Sequence, residues 1–381
     1  MVKLKFLARK RKKSVLSNLL SFFPNSPYRA CLVGGVVRDL FLGNPPVDID
    51  LIVEDDIGAV AGALNRSLKG NCRIYPEFGT ATIRIGNEQI DLARTRTEIY
   101  PAPAGLPVVK FSDLGSDFAR RDFTVNAVAI SLAGNNLGAI LDPYSGRRDI
   151  ADKIIRVLHP RSFTDDPTRI FRAIRYKRRL GFRFDRTTER LMKNAIRGKM
   201  IDRLSRKRVL SELRLIFAED DPRPIVGDLV RYGIYRLTER DRTRLDRFGR
   251  RQLYFFLSRI GADQFPLTRA EKKLVQDISD LPTIIRRLGR ASRNHDIYES
   301  LIFRTPALVE ILPAIAPALL AQVTLFRRLK KNQPIVTGRD LLRAGIKPGP
   351  RYRDMLRKAY YLQLDKKIRN KRRILAILKN G

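Results

Sequence analysis

Acid is scarce in this chain. Its 381 residues carry 39 Asp plus Glu against 76 Lys plus Arg, a net charge of +37, far more than solubility requires. The basic residues run from the first residues to the last, so a long nucleic acid fits better as partner than one small anion, although a membrane surface would also attract such a chain. Cysteine is also scarce. Cys31 and Cys72 are too few for a disulfide framework or a zinc site and point to a reducing compartment, the cytoplasm. With two histidines, the pair His295-Asp296 has only His159 to join it, which argues against a histidine-built phosphohydrolase centre. Long apolar runs are absent: none reaches the roughly 18 residues needed to span a bilayer, so no membrane is implied. At this length two or three domains are expected.

The little acid there is has a pattern. In "CLVGGVVRDLFLGNPPVDIDLIVEDD" (residues 31–56), Asp48 and Asp50 stand two apart in an apolar run just after a double glycine. On a strand they share one face, opposite Val47, Ile49 and Leu51. Two carboxylates in one small space repel each other unless they face water at an edge, and a divalent cation is the usual remedy. Gly34 and Gly35 close a strand and open a helix, where bare amides and a helix N-terminus can hold phosphate oxygens, with Arg38 a turn further on. Asp91, in "QIDLARTR", is a candidate third carboxylate from a neighbouring strand; the alternative is a strand-end cap.

From Tyr28 to Ile140, short β-type runs mix with helical stretches and glycine turns. After Asp142 the strands stop, and apolar residues recur at three and four, as in "RIFRAIRYKRRL" and "RKRVLSELRLIF". The expected fold is α+β: a mixed-sheet head followed by an all-α remainder. Its divisions are a basic N-terminal arm (1–27), a head (28–141), a helical neck (142–217), a body (218–300) and a basic tail (301–381). The arm opens with seven Lys or Arg and no acid in residues 1–13 before "VLSNLLSFF", which reads as an arm leading into a first helix rather than a transit peptide.

Gly34-Gly35-x-x-Arg38-Asp39 with Asp48-x-Asp50 resembles the signature of the class II nucleotidyltransferases, the family of bacterial tRNA CCA-adding enzymes and poly(A) polymerases. "RRDFTVNAVAI" (Arg120 to Ile130) matches its second motif, "DPYSGRRDI" (Asp142 to Ile150) its third, "DDPTRIFRAIRY" (Asp165 to Tyr176) its fourth and "RLSRKRVLSEL" (Arg203 to Leu213) its fifth. A weaker likeness, Val336 to Asp365, looks like the tail of tRNA-directed members. The segment Thr97 to Ala119 resembles a flexible loop of members that divide the labour of CCA addition.

The resemblance implies a polymerase beta-like head and a two-metal phosphoryl transfer, in which Asp48 and Asp50 hold Mg2+; Asp91 stays the candidate third member of the catalytic set that its strand suggests. Gly34, Gly35, Arg38, Arg121, Asp122 and Asn126 would then bind the nucleotide, together with Arg120, and Asp166, Arg169 and Arg172 would lie at the base. Asp166 and Arg169 would pair with the Watson–Crick edge of cytosine or adenine, each of which presents an exocyclic amine beside a ring-nitrogen acceptor. On the residues alone, Asp166-Pro167 reads as a helix N-cap and N1 pair. The family usually has Glu where this chain has Asp165. The implied substrates are tRNA, CTP and ATP, the product a tRNA extended by CCA, by CC or by the terminal A, and no protein partner is implied. The alternative enzyme is a poly(A) polymerase, although "IYPEFGTATIRI" stands where those enzymes carry a basic run and a His. A non-catalytic RNA-binding protein is a further alternative, one that has no use for paired acids. Residues 347–381, with twelve Lys or Arg, two acids, and Tyr352, Tyr360 and Tyr361 interleaved, read as a stripe for an RNA duplex arm.

Overall fold

A computed structural model describes residues 15–45 and 48–379. The arm expected over 1–27 is therefore described only from Val15, and Val47 of the expected acidic strand lies outside the described residues. The chain divides into two compact units, Met1–Ile234 and Tyr235–Gly381.

Before Asp142 the described residues of the first unit form nine strands: β1 (Ala30–Val33), β2 (Ile49–Val53), β3 (Asn71–Tyr75), β4 (Thr80–Ile85), β5 (Glu88–Arg94), β6 (Arg96–Ile99), β7 (Val108–Phe111), β8 (Ala129–Ser131) and β9 (Ile140–Leu141). Seven form one sheet in the order β3-β4-β5-β2-β1-β8-β9, in which β2 and β5 run parallel and the other neighbours antiparallel. The expected mixed sheet is present. Period-two alternation gives it two different faces. Leu32, Leu51, Val53, Ile83, Ile90 and Leu92 pack against helices Val15–Phe22, Gly35–Leu42 and Ile57–Leu68. The other face carries Cys31, Val33, Ile52 and Ala129, packed with Phe118 and Ala127. Asp50 lies between Ile49 and Leu51 in β2 and so belongs to this second face.

Strands do not stop at Asp142. Ile154–Ile155 and Arg183–Phe184 pair in parallel, forming β10 and β11, a ladder too short to carry a periodicity. Helices Thr168–Leu180, Arg186–Arg197, Arg206–Phe217 and Arg223–Arg231 follow. The last of these packs back through Asp228, buried, which accepts from Lys177 Nζ at 3.0 Å and from Arg178 at 2.7 Å. That ion pair carries the first unit past the expected junction at Phe217 to Ile234. The Thr97–Ala119 segment forms the β6–β7 hairpin and then the helix Leu114–Ala119.

The second unit is helical throughout its described residues. The expected body–tail junction at Ser300 falls inside the helix Asn294–Ile302, whose His295 Nδ1 lies 2.6 Å from Asp365 Oδ2 and whose Asn294 donates to the Leu364 carbonyl. The His295 ring stacks on Tyr361 at 4.3 Å. His295 therefore fastens two helices.

Candidate active site

Gly34 sits at φ +68°, ψ −131°, between β1 and the helix Gly35–Leu42. Only glycine adopts this without strain, and a Cβ there would lie 3.5 Å from Arg121 and 3.7 Å from Asp50 Oδ2. The turn thus brings the helix start, the second motif and the β2 acid together. Asp50 stands directly opposite Asp91 in the parallel β2–β5 register, and Asp48, exposed, immediately precedes the strand. Burial, then the charge of Asp91 and that of Asp48, push the Asp50 carboxyl up to about 6, and Arg121 and Arg38 only partly offset them. Asp91 accepts from Thr82 Oγ1 at 2.7 Å and from Gln89 Nε2 at 2.8 Å, whereas Asp48 and Asp50 accept no hydrogen bond from the described residues.

The second motif is anchored from below by Asp117, an acid with no exposed surface. One of its oxygens takes Nε and Nη2 of Arg120 (2.8 and 2.6 Å), and the other takes the same atoms of Arg121 (3.1 and 2.8 Å). Arg120 reaches on to Glu98 at 3.0 Å, and Arg121 donates to the Asn126 carbonyl at 3.1 Å. Both guanidiniums are fixed before any ligand arrives. Asn126 accepts from Arg38 at 2.8 Å and donates to Asp122 at 3.0 Å, so each end of its amide is already engaged. Arg38 is buried against Asp39, Asn126 and the Tyr176 ring, which places it behind the site. The third motif buttresses this layer: a Cβ on Gly146 would come within 2.1 Å of the Thr124 carbonyl, and Asp149 accepts from Thr124 Oγ1 at 2.6 Å.

The fourth motif supplies the far wall. Asp166 Oδ1 accepts from the Thr168 amide (3.0 Å), Thr168 Oγ1 (2.6 Å) and Arg208 (2.7 Å), while Oδ2 takes no hydrogen bond from the described residues. The cap expected on the residues alone and a free acceptor therefore coexist in one carboxylate. Arg169, buried, donates to Ser162 Oγ and the Arg120 carbonyl at 2.7 and 2.6 Å. Arg172 grips Asp122 Oδ2 with two N–H donors at 2.9 and 2.6 Å. Burial works to raise Asp122, but the Arg172 charge and hydrogen bonds from Asn126 and Arg172 win and bring it to about 2.

These residues enclose one cavity of about 320 Å³, lined by Gly34, Gly35, Asp50, Glu98, Tyr100, Arg120, Arg121, Asp122, Asn126, Asp166, Arg169, Arg172 and Tyr176. Glu98 and Tyr100 were not singled out by sequence; they arrive on β6 and just after it, with the Tyr100 hydroxyl donating to Glu98 at 3.0 Å. Burial and the Glu98 charge raise the Tyr100 pKa and keep the phenol protonated. Arg208, in the fifth motif, holds Asp166. Asp117 had a signal, an acid three and four residues before Arg120-Arg121 on one helical turn.

The acids fit a hard divalent cation. Oxygen donors of uncompensated charge are what such an ion prefers, and the raised Asp50 carboxyl beside undonated oxygens registers that missing charge. Among the described residues, no three His, Cys, Asp or Glu side chains converge into a ready-made chelate. The tail tyrosines turn inward rather than lining a stripe: Tyr360 donates to the Asn332 carbonyl at 2.9 Å, Tyr352 donates to the Gly338 carbonyl, and Tyr361 stacks on His295.

Comparison with known proteins matches this architecture. Residues 30–156 fit the model of the poly A polymerase head domain. An A-adding tRNA nucleotidyltransferase of Halalkalibacterium halodurans is 30% identical over 368 residues, covering 89% of this chain and 86% of that protein. The chain belongs to the bacterial tRNA nucleotidyltransferase and poly(A) polymerase family. An A-adding tRNA nucleotidyltransferase of Aquifex aeolicus is 44% identical over 192 residues, which is 50% of this chain but only 23% of that longer protein. The solved structure of the Thermotoga maritima CCA-adding enzyme complexed with tRNA superimposes with a TM-score of 0.71 at 26% identity, covering 99% of this chain and 98% of that one. No helix among the described residues is long and apolar enough to cross a membrane.

Proposed function

We propose that this nucleotidyltransferase extends the 3′ end of tRNA without a nucleic-acid template, and that the nucleotide it adds is the terminal A. The observation that carries the reading is the convergence in one cavity of Asp50, the clamped Arg120 and Arg121, and the pair Asp166 and Arg169. Asp48 and Asp50 would hold divalent cations, Mg2+ in the family's chemistry, which when bound make the primer hydroxyl a better nucleophile and neutralise the triphosphate. Arg120 and Arg121, fixed by Asp117, meet the phosphates without losing rotamer freedom. Asp91, held by Thr82 and Gln89, adds its charge beside Asp50. Asp166 Oδ2 accepts from the adenine amine, and the remaining N–H groups of Arg169 donate to the ring nitrogen. Guanine and uracil present the reverse pattern and would leave a charged group unpaired, at a cost of roughly 1–3 kcal/mol.

Terminal A addition is preferred because the relative matched over 89% of this chain and 86% of its own length is named A-adding, as is the one at 44% identity, whereas a relative named CC-adding, 39% identical, matches only 39% of this chain. Two free cysteines suit a reducing, cytoplasmic setting. The deciding experiment supplies tRNA lacking CCA, tRNA ending in C and tRNA ending in CC with CTP and ATP, separately and together. Addition restricted to A on the CC end supports the reading; CTP incorporation on the shorter ends reassigns the enzyme to CC or CCA addition.

A further inference from the structure

On the far side of Asp91 the active face of the sheet continues into a second cavity of about 320 Å³, lined by Asn71, Arg73, Tyr75, Thr82, Arg84 and Gln89. Register puts these side chains on one face. Cys72 on β3, Ala81 and Ile83 on β4, and Ile90 and Leu92 on β5 pack into the helix-covered core, so their alternate neighbours point the other way. Asp50 stands opposite Asp91, Asp91 opposite Thr82, and Thr82 opposite Arg73, a single row across four strands. At about 4.8 Å per strand, Arg73 lies about 10 Å from Asp91 along that row.

The lining holds two arginines and no acid. Arg73 is exposed and has no ion pair or hydrogen bond among the described residues, and the Tyr75 hydroxyl has no partner either. Arg84 differs: it donates to Gln89 at 3.1 Å, and Gln89 donates to Asp91 at 2.8 Å, which ties this surface to the catalytic row. The nucleotide cavity lies on the opposite side, where Gly34 at the end of β1 approaches Asp50. In phosphoryl transfer the attacking and leaving oxygens stand roughly in line on opposite sides of the phosphorus. With the triphosphate held on the β1 side of the carboxylates, the attacking hydroxyl comes from the β5 side.

We propose that the β3–β5 face binds the single-stranded 3′ end of the RNA acceptor. Arg73 and Arg84 contact its phosphates, and the Tyr75 ring offers a stacking surface to a base, the pairing of cation and aromatic that single-strand binding uses. The inference rests on reading the neighbouring cavity as a nucleotidyltransferase site, so its test includes a measurement that needs no catalysis.

Arg73→Ala and Tyr75→Ala are preferred to changes at Arg84, because neither residue bonds to the chain of contacts leading to Asp91. In extension assays the KM for tRNA is expected to rise at least fivefold for each and the KM for ATP to stay within twofold, with Tyr75→Phe near wild type because the ring and not the hydroxyl is used. Arg73→Ala should also reduce the slope of log affinity against log salt by about 0.7, the loss of one single-strand phosphate contact. Fluorescence anisotropy with a labelled single-stranded RNA ending in CC reads binding directly, and both alanine variants should weaken it at least fivefold. Wild-type affinity for that RNA in the double variant overturns the proposal, whether or not the enzyme turns over. Failure of the wild type to extend any tRNA would instead remove the functional reading, and the anisotropy result would still decide this one.

Discussion

Asp50→Asn should make the metal-free protein more stable while removing its activity. The Asp50 carboxyl is raised from 3.8 to about 6 by burial and by Asp91 and Asp48. A difference of about two units at 1.36 kcal/mol each sets a ceiling of about 3 kcal/mol, and partial solvent contact lowers the expected gain to about 1–3 kcal/mol. The sign follows from linkage. A carboxyl whose pKa is higher folded than unfolded binds protons on folding, so this group's contribution to wild-type stability falls as pH rises from about 4 to about 6 and is then constant. Asparagine carries no charge at any pH. The variant should therefore exceed wild type at pH 8 in EDTA, with the gap closing as pH falls through 6 toward 4. At about 2–4 °C per kcal/mol for a unit of this size, the Tm difference at pH 8 is about 2–12 °C. Adding MgCl2 at pH 8 should then stabilise wild type and leave the variant unmoved, since a ligand stabilises only the state that binds it. Thermal unfolding of both proteins across this pH range, with and without Mg2+, gives every quantity needed. A variant no more stable than wild type at pH 8 in EDTA, or a gap that widens on acidification, would refute the reasoning.

Asp166→Asn can keep Oδ1 on Thr168 and Arg208 while turning an amide donor toward the base, so ATP incorporation should fall by about 5- to 150-fold, equivalent to roughly 1–3 kcal/mol, with little change in Tm; four-nucleotide competition assays would show any relaxed choice. Asp117→Ala leaves two arginines without their buried partner and should cost about 3–5 kcal/mol in unfolding free energy, while Asp117→Asn should raise the KM for ATP more than it lowers kcat. Charge reversal at the exposed tail residues Arg353 and Arg357 should weaken tRNA binding and flatten its salt dependence without affecting the KM for ATP; an unchanged salt slope would mark that face as merely solvated.

The elements that sequence located are those whose chemistry is local. Gly34-Gly35 announces a strand-to-helix turn because no other residue fits its backbone, and Ile49, Leu51 and Val53 mark β2 by alternation alone. Asp91 could be placed beside Asp50 only as a possibility, since which strands neighbour one another is a property of the sheet and not of either strand. The β6–β7 hairpin was hidden by the proline-rich "YPAPAGLP" between its strands, and β10 and β11 by their two-residue length. Glu98, Tyr100 and Arg208 escaped notice because each reaches the cavity through tertiary packing: Arg208 meets Asp166 across 42 residues of sequence. Tyr360 and Tyr361 misled for the complementary reason. Their basic surroundings resemble an RNA-facing stripe, but both rings lie toward the unit's own helices.

Incubation of the purified chain with Mg2+, ATP and tRNA ending in CC, resolved at single-nucleotide length, tests the central claim most directly. One adenosine added to nearly every tRNA, with no further growth and no product from Asp50→Ala, is the expected result. A lengthening poly(A) ladder would make the enzyme a poly(A) polymerase, and the absence of any product would contradict the functional reading altogether.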